Sequence, residues 1–186
     1  MMKLRWILLL VCILLVLPVV AVTGHRIKFN GEFYTLQVAE ATPAVEDGYR
    51  NVYLRSHEKL NSWTRMIVIQ TYPNLDNPNE AAMYLKNTYP VSSAPDIGDF
   101  VVSKRGTILP LVLLNPNGGK PSYENNVIRF EKSKNGGLIS YQYIERYPVK
   151  NFKQAQKALN TMRAGRARLI QLVKKVTIPN VVREIK

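Results

Sequence analysis

Residues 126–147 read NVIRFEKSKNGGLISYQYIERY, and this stretch decides the fold. Two runs, 126–132 and 138–147, are rich in β-branched and aromatic side chains and flank Asn135-Gly136-Gly137. Glycines that accept positive φ between two such runs mark a β-hairpin. In the second run Ile139, Tyr141 and Tyr143 share a face, opposite Ser140, Gln142 and Ile144, the period of two that a strand imposes. The hairpin predicts an antiparallel sheet.

The same signals recur upstream. Residues 26–29 and 32–38 flank Asn30-Gly31, the strongest two-residue hairpin signal. After the turn-rich 41–48, residues 49–55 alternate, with Tyr49, Asn51, Tyr53 and Arg55 on one face and Val52 and Leu54 on the other. Within 63–72, Met66-Ile67-Val68-Ile69 is an unbroken apolar run, expected of a central strand covered on both faces. Asn77-Pro78 is a cap followed by proline at the first helical position, predicting a helix over 78–87 with Ala82, Leu85 and, at the margin, Met83 inward. Residues 100–103 and 107–114 are strands around Arg105-Gly106, with Pro110 marking an edge or a bulge.

The last element is a helix over 151–175. Phe152, Ala155, Leu159, Met162, Leu169, Val173 and Val176 recur at three- and four-residue steps, widened by Ala158 and Leu172. Each well-buried large side chain contributes ~1.5–3 kcal/mol, against ~0–1 kcal/mol for a surface ion pair, so this stripe must dock on the sheet. Gly165 and Arg166 interrupt it, where a kink or a close approach is expected. The fold class is α+β: an antiparallel sheet of about six to eight strands, with one short central helix and one long C-terminal helix packed on it.

Residues 1–24 are an address rather than part of that fold. Lys3 and Arg5 precede a wholly apolar run, 6–17, which Pro18 breaks before a small-residue zone. That order is a secretory signal, with cleavage expected after Ala21, Thr23 or Gly24. Read through to Val22, the segment reaches the lower limit of a membrane span, so an uncleaved inner-membrane anchor is the alternative. Residues 25–176 then form a single domain and 177–186 a short C-terminal tail. The expected location is periplasmic or secreted. The sole cysteine, Cys12, lies in the leader.

Charge is uneven. Without the leader the chain holds 24 basic and 13 acidic residues, a net +11. Residues 25–100 carry seven Lys/Arg against nine Asp/Glu, whereas 101–186 carry 17 against four. Such asymmetry points to an anionic partner, an envelope protein or an anionic lipid or polysaccharide surface; export argues against nucleic acid. The candidate surface is the basic side of the C-terminal helix: Lys153, Lys157, Arg163, Arg168, Lys174 and Lys175.

Catalytic and metal chemistry finds little footing in these residues. The two histidines, His25 and His57, have no cysteine beside them to build a metal site. No Gly-x-Ser-x-Gly turn exposes a serine. Asn117-Gly118-Gly119-Lys120 imitates a phosphate loop but has Leu114 where glycine is required and Pro121 where Ser/Thr belongs. Glu124, Glu131 and Glu145 are read as cross-strand partners of Arg129 and Arg146. The strand tyrosines are read as sheet packing ahead of a stacking face for a ligand. No catalytic, metal or cofactor residue is assigned.

The strand Trp63-Thr64-Arg65-Met66-Ile67, the helix after Pro78, Asn126-Val127-Ile128-Arg129-Phe130, the strand 138–147 and the long last helix together resemble the PsbP-like fold of small exported bacterial proteins. The resemblance covers most of 26–176 by element order, and implies a non-catalytic accessory or binding role. The predicted function is an exported accessory or binding protein of the bacterial cell envelope. Peripheral binding to anionic lipid or polysaccharide through the basic helix is the alternative. A hydrolase or small-molecule binder using the 72–79 and 115–123 loops is a weaker third.

Overall fold

The computed structural model describes residues 26–42, 45–89, 94–114 and 121–183; the expected leader with Cys12, His25 and the Asn117–Lys120 turn lie outside them. The elements run β1 (Arg26–Phe29), β2 (Glu32–Ala41), β3 (Tyr49–Arg55), β4 (Arg65–Tyr72), helix α1 (Pro78–Thr88), β5 (Asp96–Ile97), β6 (Val101–Ser103), β7 (Gly106–Leu114), β8 (Ser122–Lys132), β9 (Leu138–Pro148) and helix α2 (Phe152–Lys175). All strands join one antiparallel sheet in the order β1-β2-β3-β4-β9-β8-β7-β5, with β6 also paired to β7. Among the described residues there are nine strands, one above the expected range. The addition is the two-residue β5, which begins directly after Pro95 and pairs with Leu111 and Val112.

The turns obey the glycine logic. Asn30 and Gly31 both have positive φ, as a tight hairpin requires. In the β8–β9 turn a Cβ on Gly137 would lie 2.4 Å from the Tyr72 carbonyl oxygen. Pro110 sits inside β7 and is buried. It falls between the stretch paired with β6, which ends at Ile108, and the stretch paired with β5, which begins at Leu111. The missing N–H is therefore not asked for.

Alternation along the strands separates two faces. Ile67, Ile69, Ile108, Val127, Ile139, Tyr141 and Tyr143 pack with Leu169, Ile170 and Val173 of α2. Their strand neighbours Leu109, Ile128, Phe130 and Leu138 pack instead with Ala81 and Ala82 of α1. The two helices thus cover opposite faces. On the α2 side the sheet curls: Phe29 of β1 lies 5.8 and 4.6 Å from the Tyr141 and Tyr143 rings of β9, although three strands separate β1 from β9.

Two helical assignments differ from expectation. In α1 Ala82 and Leu85 face the core as expected and Ala81 joins them, while Met83 is exposed. In α2, capped by Asn151, Phe152 is 83 % exposed, because burial begins one turn later at Ala155 and Ala158 and the first turn overhangs the packed region. The helix continues through Gly165 and Arg166, and Arg166 Nη2 approaches Asp96 of β5 at 2.9 Å.

The joint between sheet and helix is Arg129. Its side chain is 0 % exposed, and its guanidinium donates to the carbonyls of Val173 (2.8 Å), Lys174 (2.9 Å) and Val176 (2.7 Å), with Glu131 at 3.0 Å. These carbonyls close α2, where a helix runs short of donors and carries the negative end of its dipole, and Val173 also accepts from the Val176 N–H. Beyond them the chain does not leave the domain. Val176, Ile178 and Val181 pack on the α2-side core. Asn51 donates to the Val182 carbonyl (2.8 Å) and accepts from its N–H (2.7 Å). Of the expected tail, 177–186, the described residues 177–183 lie against the domain and are held to β3 at Val182.

Removing the guanidinium takes a donor from three buried or part-buried carbonyls, of which Val173 keeps the Val176 N–H, and the partner from part-buried Glu131, a loss of about 2–4 kcal/mol. Urea unfolding of Arg129→Met is expected to show that loss, and Arg129→Lys a smaller one, since an ammonium cannot span the same set of oxygens. A loss under about 1 kcal/mol for Arg129→Met would show that packing alone holds α2.

Candidate functional site

The structure scatters the six expected surface residues. Lys153, Lys157 and Lys175 are exposed; Arg168 is exposed but donates to Asn30 Oδ1 at 2.7 Å. Arg163 is engaged with Asp96 at 2.7 Å, and Lys174 is half-buried at the end of α2. At about 100° per residue, Lys153, Lys157, Arg168 and Lys175 fall within about 60° of one another, opposite the buried stripe. They are spread along some 33 Å of helix, estimated at ~1.5 Å per residue, and form a line rather than a cluster.

The acidic and aromatic side chains of the sheet are engaged structurally. Glu124 accepts from Arg146 directly across the β8–β9 pair at 2.8 Å, as expected, and Arg146 stacks over Trp63 at 3.6 Å. Glu131 lies on the same strand as Arg129 and binds it there. Arg129 was expected to face a carboxylate across the strands; its main partner is the end of α2. Glu145 accepts from the hydroxyls of Tyr143 (3.1 Å) and Tyr147 (3.0 Å). Tyr34, Tyr53, Tyr141 and Tyr143 are fully buried, so they pack the core rather than present a face. Burial pushes the Tyr34 and Tyr53 hydroxyls up to about 12.

At the β3–β4 end, Arg55 joins Glu32 (3.1 Å) and Glu58 (2.7 Å), and Glu58 also accepts from the Thr64 N–H and hydroxyl (2.7 and 2.6 Å). Burial works to raise the Glu58 carboxyl, but the Arg55 and Thr64 bonds prevail and bring it down to about 2.

Of the 72–79 and 115–123 loops, expected to share a pocket, residues 115–120 lie outside the described residues, and the described ends Tyr72 and Ser122 stand at opposite ends of the sheet. Tyr72 pairs with Leu138 at one end of β9, and Ser122 with Pro148 at the other. A groove exists at the first of these ends, with a volume of about 650 Å³. It runs round the sheet edge from Pro78 and Asn79 at the start of α1 to Thr177, Ile178 and Asn180 after α2. Lys104 and Arg105 of the β6–β7 turn, Lys132 at the end of β8 and Lys134 in the turn after it stand around it. Among the described residues none of these four has a carboxylate within 4 Å. Ile139, Val176 and Ile178 contribute apolar lining.

Two backbone facts bring the turns together. A Cβ on Gly106 would lie 2.0 Å from the Phe130 carbonyl, so only glycine lets β7 start this close to β8. Arg129 fixes the other wall by holding Val176. Glu131 is the one acidic side chain of the lining, and burial holds its carboxyl above the ordinary value against the pull of Arg129 and Arg105. Sequence reading counted the turn cations only in the charge total. The available signal was their place in two turns that the hairpin register sets side by side.

The chain belongs to an uncharacterised family. The family model matches residues 21–178, which takes in all nine strands and both helices. Neither the curated proteins nor the solved structures hold a match to it. Among the described residues no helix is long and apolar enough to cross a membrane.

The Glu58 network makes a pH prediction. A carboxyl lowered in the folded state contributes stability above its unfolded value of 4.5, lost as pH falls toward 2. Acid titration of the unfolding free energy is expected to lose on the order of 2–3 kcal/mol from this group between about pH 4.5 and 2. Glu58→Gln should be less stable at neutral pH and flatter over that interval. A variant with the parent's acid limb would place the acid sensitivity elsewhere.

Proposed function

We propose that the chain is an exported, non-catalytic accessory or binding protein of the bacterial cell envelope, which takes an anionic partner at the groove. The leader sequence supports export. Structural engagement of Glu124, Glu131 and Glu145 supports binding over acid–base chemistry, since each carboxylate already holds an arginine or tyrosines. The observation that carries the reading is the convergence of Lys104, Arg105, Lys132 and Lys134 on one groove. Kinship with PsbP-like domains belongs to the same proposal, and the element order supports it.

Fractionation is expected to place the protein in the envelope. A photo-crosslinking residue in place of Lys134 should capture a discrete envelope component, and one in place of Lys59, at the opposite end of the sheet, should not. Equal capture at both positions, or a purified protein whose turnover is abolished by His57→Ala or Glu145→Gln, overturns the reading.

A second reading, attachment to anionic lipid or polysaccharide, is favoured by the line of Lys153, Lys157, Arg168 and Lys175, and by Arg26 and Lys28 in the hollow that Lys175 lines. Near an anionic surface each cation contributes about 1 kcal/mol. Co-sedimentation with anionic vesicles is then expected at low salt and lost at high salt. Binding to neutral vesicles, or binding indifferent to salt, excludes it.

A further inference from the structure

The groove combines two chemistries that a plain anion site does not need. Its rim is cationic, with four side chains at two separate turns. Its lining on the α2 side is partly apolar: Ile139 is buried and Val176 and Ile178 are partly buried against the same core, while Val102, whose neighbour Val101 packs on that core, is 67 % exposed on the other face of the sheet edge. A bare phosphate or sulfate would use the rim and leave these surfaces wet. An exposed valine and a partly exposed isoleucine along one groove leave apolar area that can still be removed from water.

The volume, about 650 Å³, lies within the range of small-molecule sites, roughly 300–1,000 Å³. The walls are also held in place. Arg129 fixes the Val176 carbonyl at 2.7 Å, and the Asn79 carboxamide oxygen accepts from the Thr107 hydroxyl, tying the start of α1 to β7. A preformed cleft loses less ordering entropy on binding than one assembled around its ligand.

We propose that this groove binds a small anionic amphiphile, with a phosphate or carboxylate head against Lys104, Arg105, Lys132 and Lys134 and an apolar chain along Val102, Ile139 and Ile178. The inference rests on the binding-protein reading and names its ligand class. Glu131 sets the polarity of the site. Its carboxylate is turned to Arg129 and repels a second anion from the sheet side, so the head group lies outward at the turns.

The test is calorimetric titration of the purified full chain with dodecyl phosphate and with dodecanoate, both below their micelle concentrations. Inorganic phosphate and dodecyl maltoside serve as probes of head and tail alone. Saturable binding is expected for at least one of the two anionic amphiphiles, and the tighter one identifies the head group. Arg105→Ala with Lys134→Ala should weaken binding about tenfold, and Val102→Asp, at an exposed position, should weaken it comparably without unfolding the protein. Lys153→Ala with Lys157→Ala should leave it unchanged. The proposal is overturned if neither amphiphile binds, if inorganic phosphate binds as tightly as dodecyl phosphate, or if the Lys153/Lys157 pair matters as much as the turn pair. Should amphiphile binding fail while the cross-link at position 134 persists, the ligand class falls and the envelope-binding reading stands.

Discussion

A fully buried guanidinium on β8 holds the end of α2, and much of the molecule is arranged around that contact. Burying a charge is costly, and here three helix-terminal carbonyls and Glu131 offset the loss of water. An apolar side chain would pack at least as well, but it would not specify where the helix stops. Arg129 does, because only the last turn of a helix offers carbonyls that lack partners within the helix. With the stop fixed, the chain after α2 is directed back over the α2-side core, where Asn51 takes up the Val182 amide in both directions. Helix docking, the returning segment and one wall of the groove are consequences of one contact.

Most of the sheet was legible because its information is local. Asn30-Gly31 and Gly136-Gly137 need positive φ, and alternation in 49–55 and 138–147 assigns side chains to faces without knowledge of neighbours. The stripe of α2 was equally plain from Ala155 onward. The failures are non-local. Phe152 and Met83 obey the helical period, yet whether they are covered depends on how far each helix extends past the sheet. β5 is two residues long and exists only because β7 offers it an edge.

The groove was missed for a related reason. Its residues come from segments that are unremarkable one at a time, among them a helix start with proline at its first position, two basic turns, the flanking strand ends and the chain after a helix. What could have found it is register. Once β7 pairs with β8 and β8 with β9, Lys104-Arg105 must stand beside Lys132 and Lys134. Arg129 carried a signal too, since it has the same parity as Val127 and Tyr141 belongs to the facing position on β9. An arginine on the inward face of an apolar strand demands a buried acceptor, and the carbonyls at the end of α2 supply one.

The same logic sorts the excess of positive charge. Acidic residues are concentrated where the sheet needs internal partners: Glu32 and Glu58 for Arg55, Glu124 for Arg146, Asp96 for Arg163 and Arg166. They neutralise arginines, whose planar, forked donors suit fixed geometry, while the exposed cations are chiefly lysines. These carboxylates are taken up by arginines, and lysines gather at two places, along the outer line of α2 and around the groove. Charge spread over some 33 Å of an exposed helix, at ~1.5 Å per residue, favours a broad surface. Four cations gathered beside an apolar lining favour a discrete ligand, because only there does removal of water from carbon add to the attraction between charges. That difference in geometry, rather than the total charge, is what distinguishes the two surfaces.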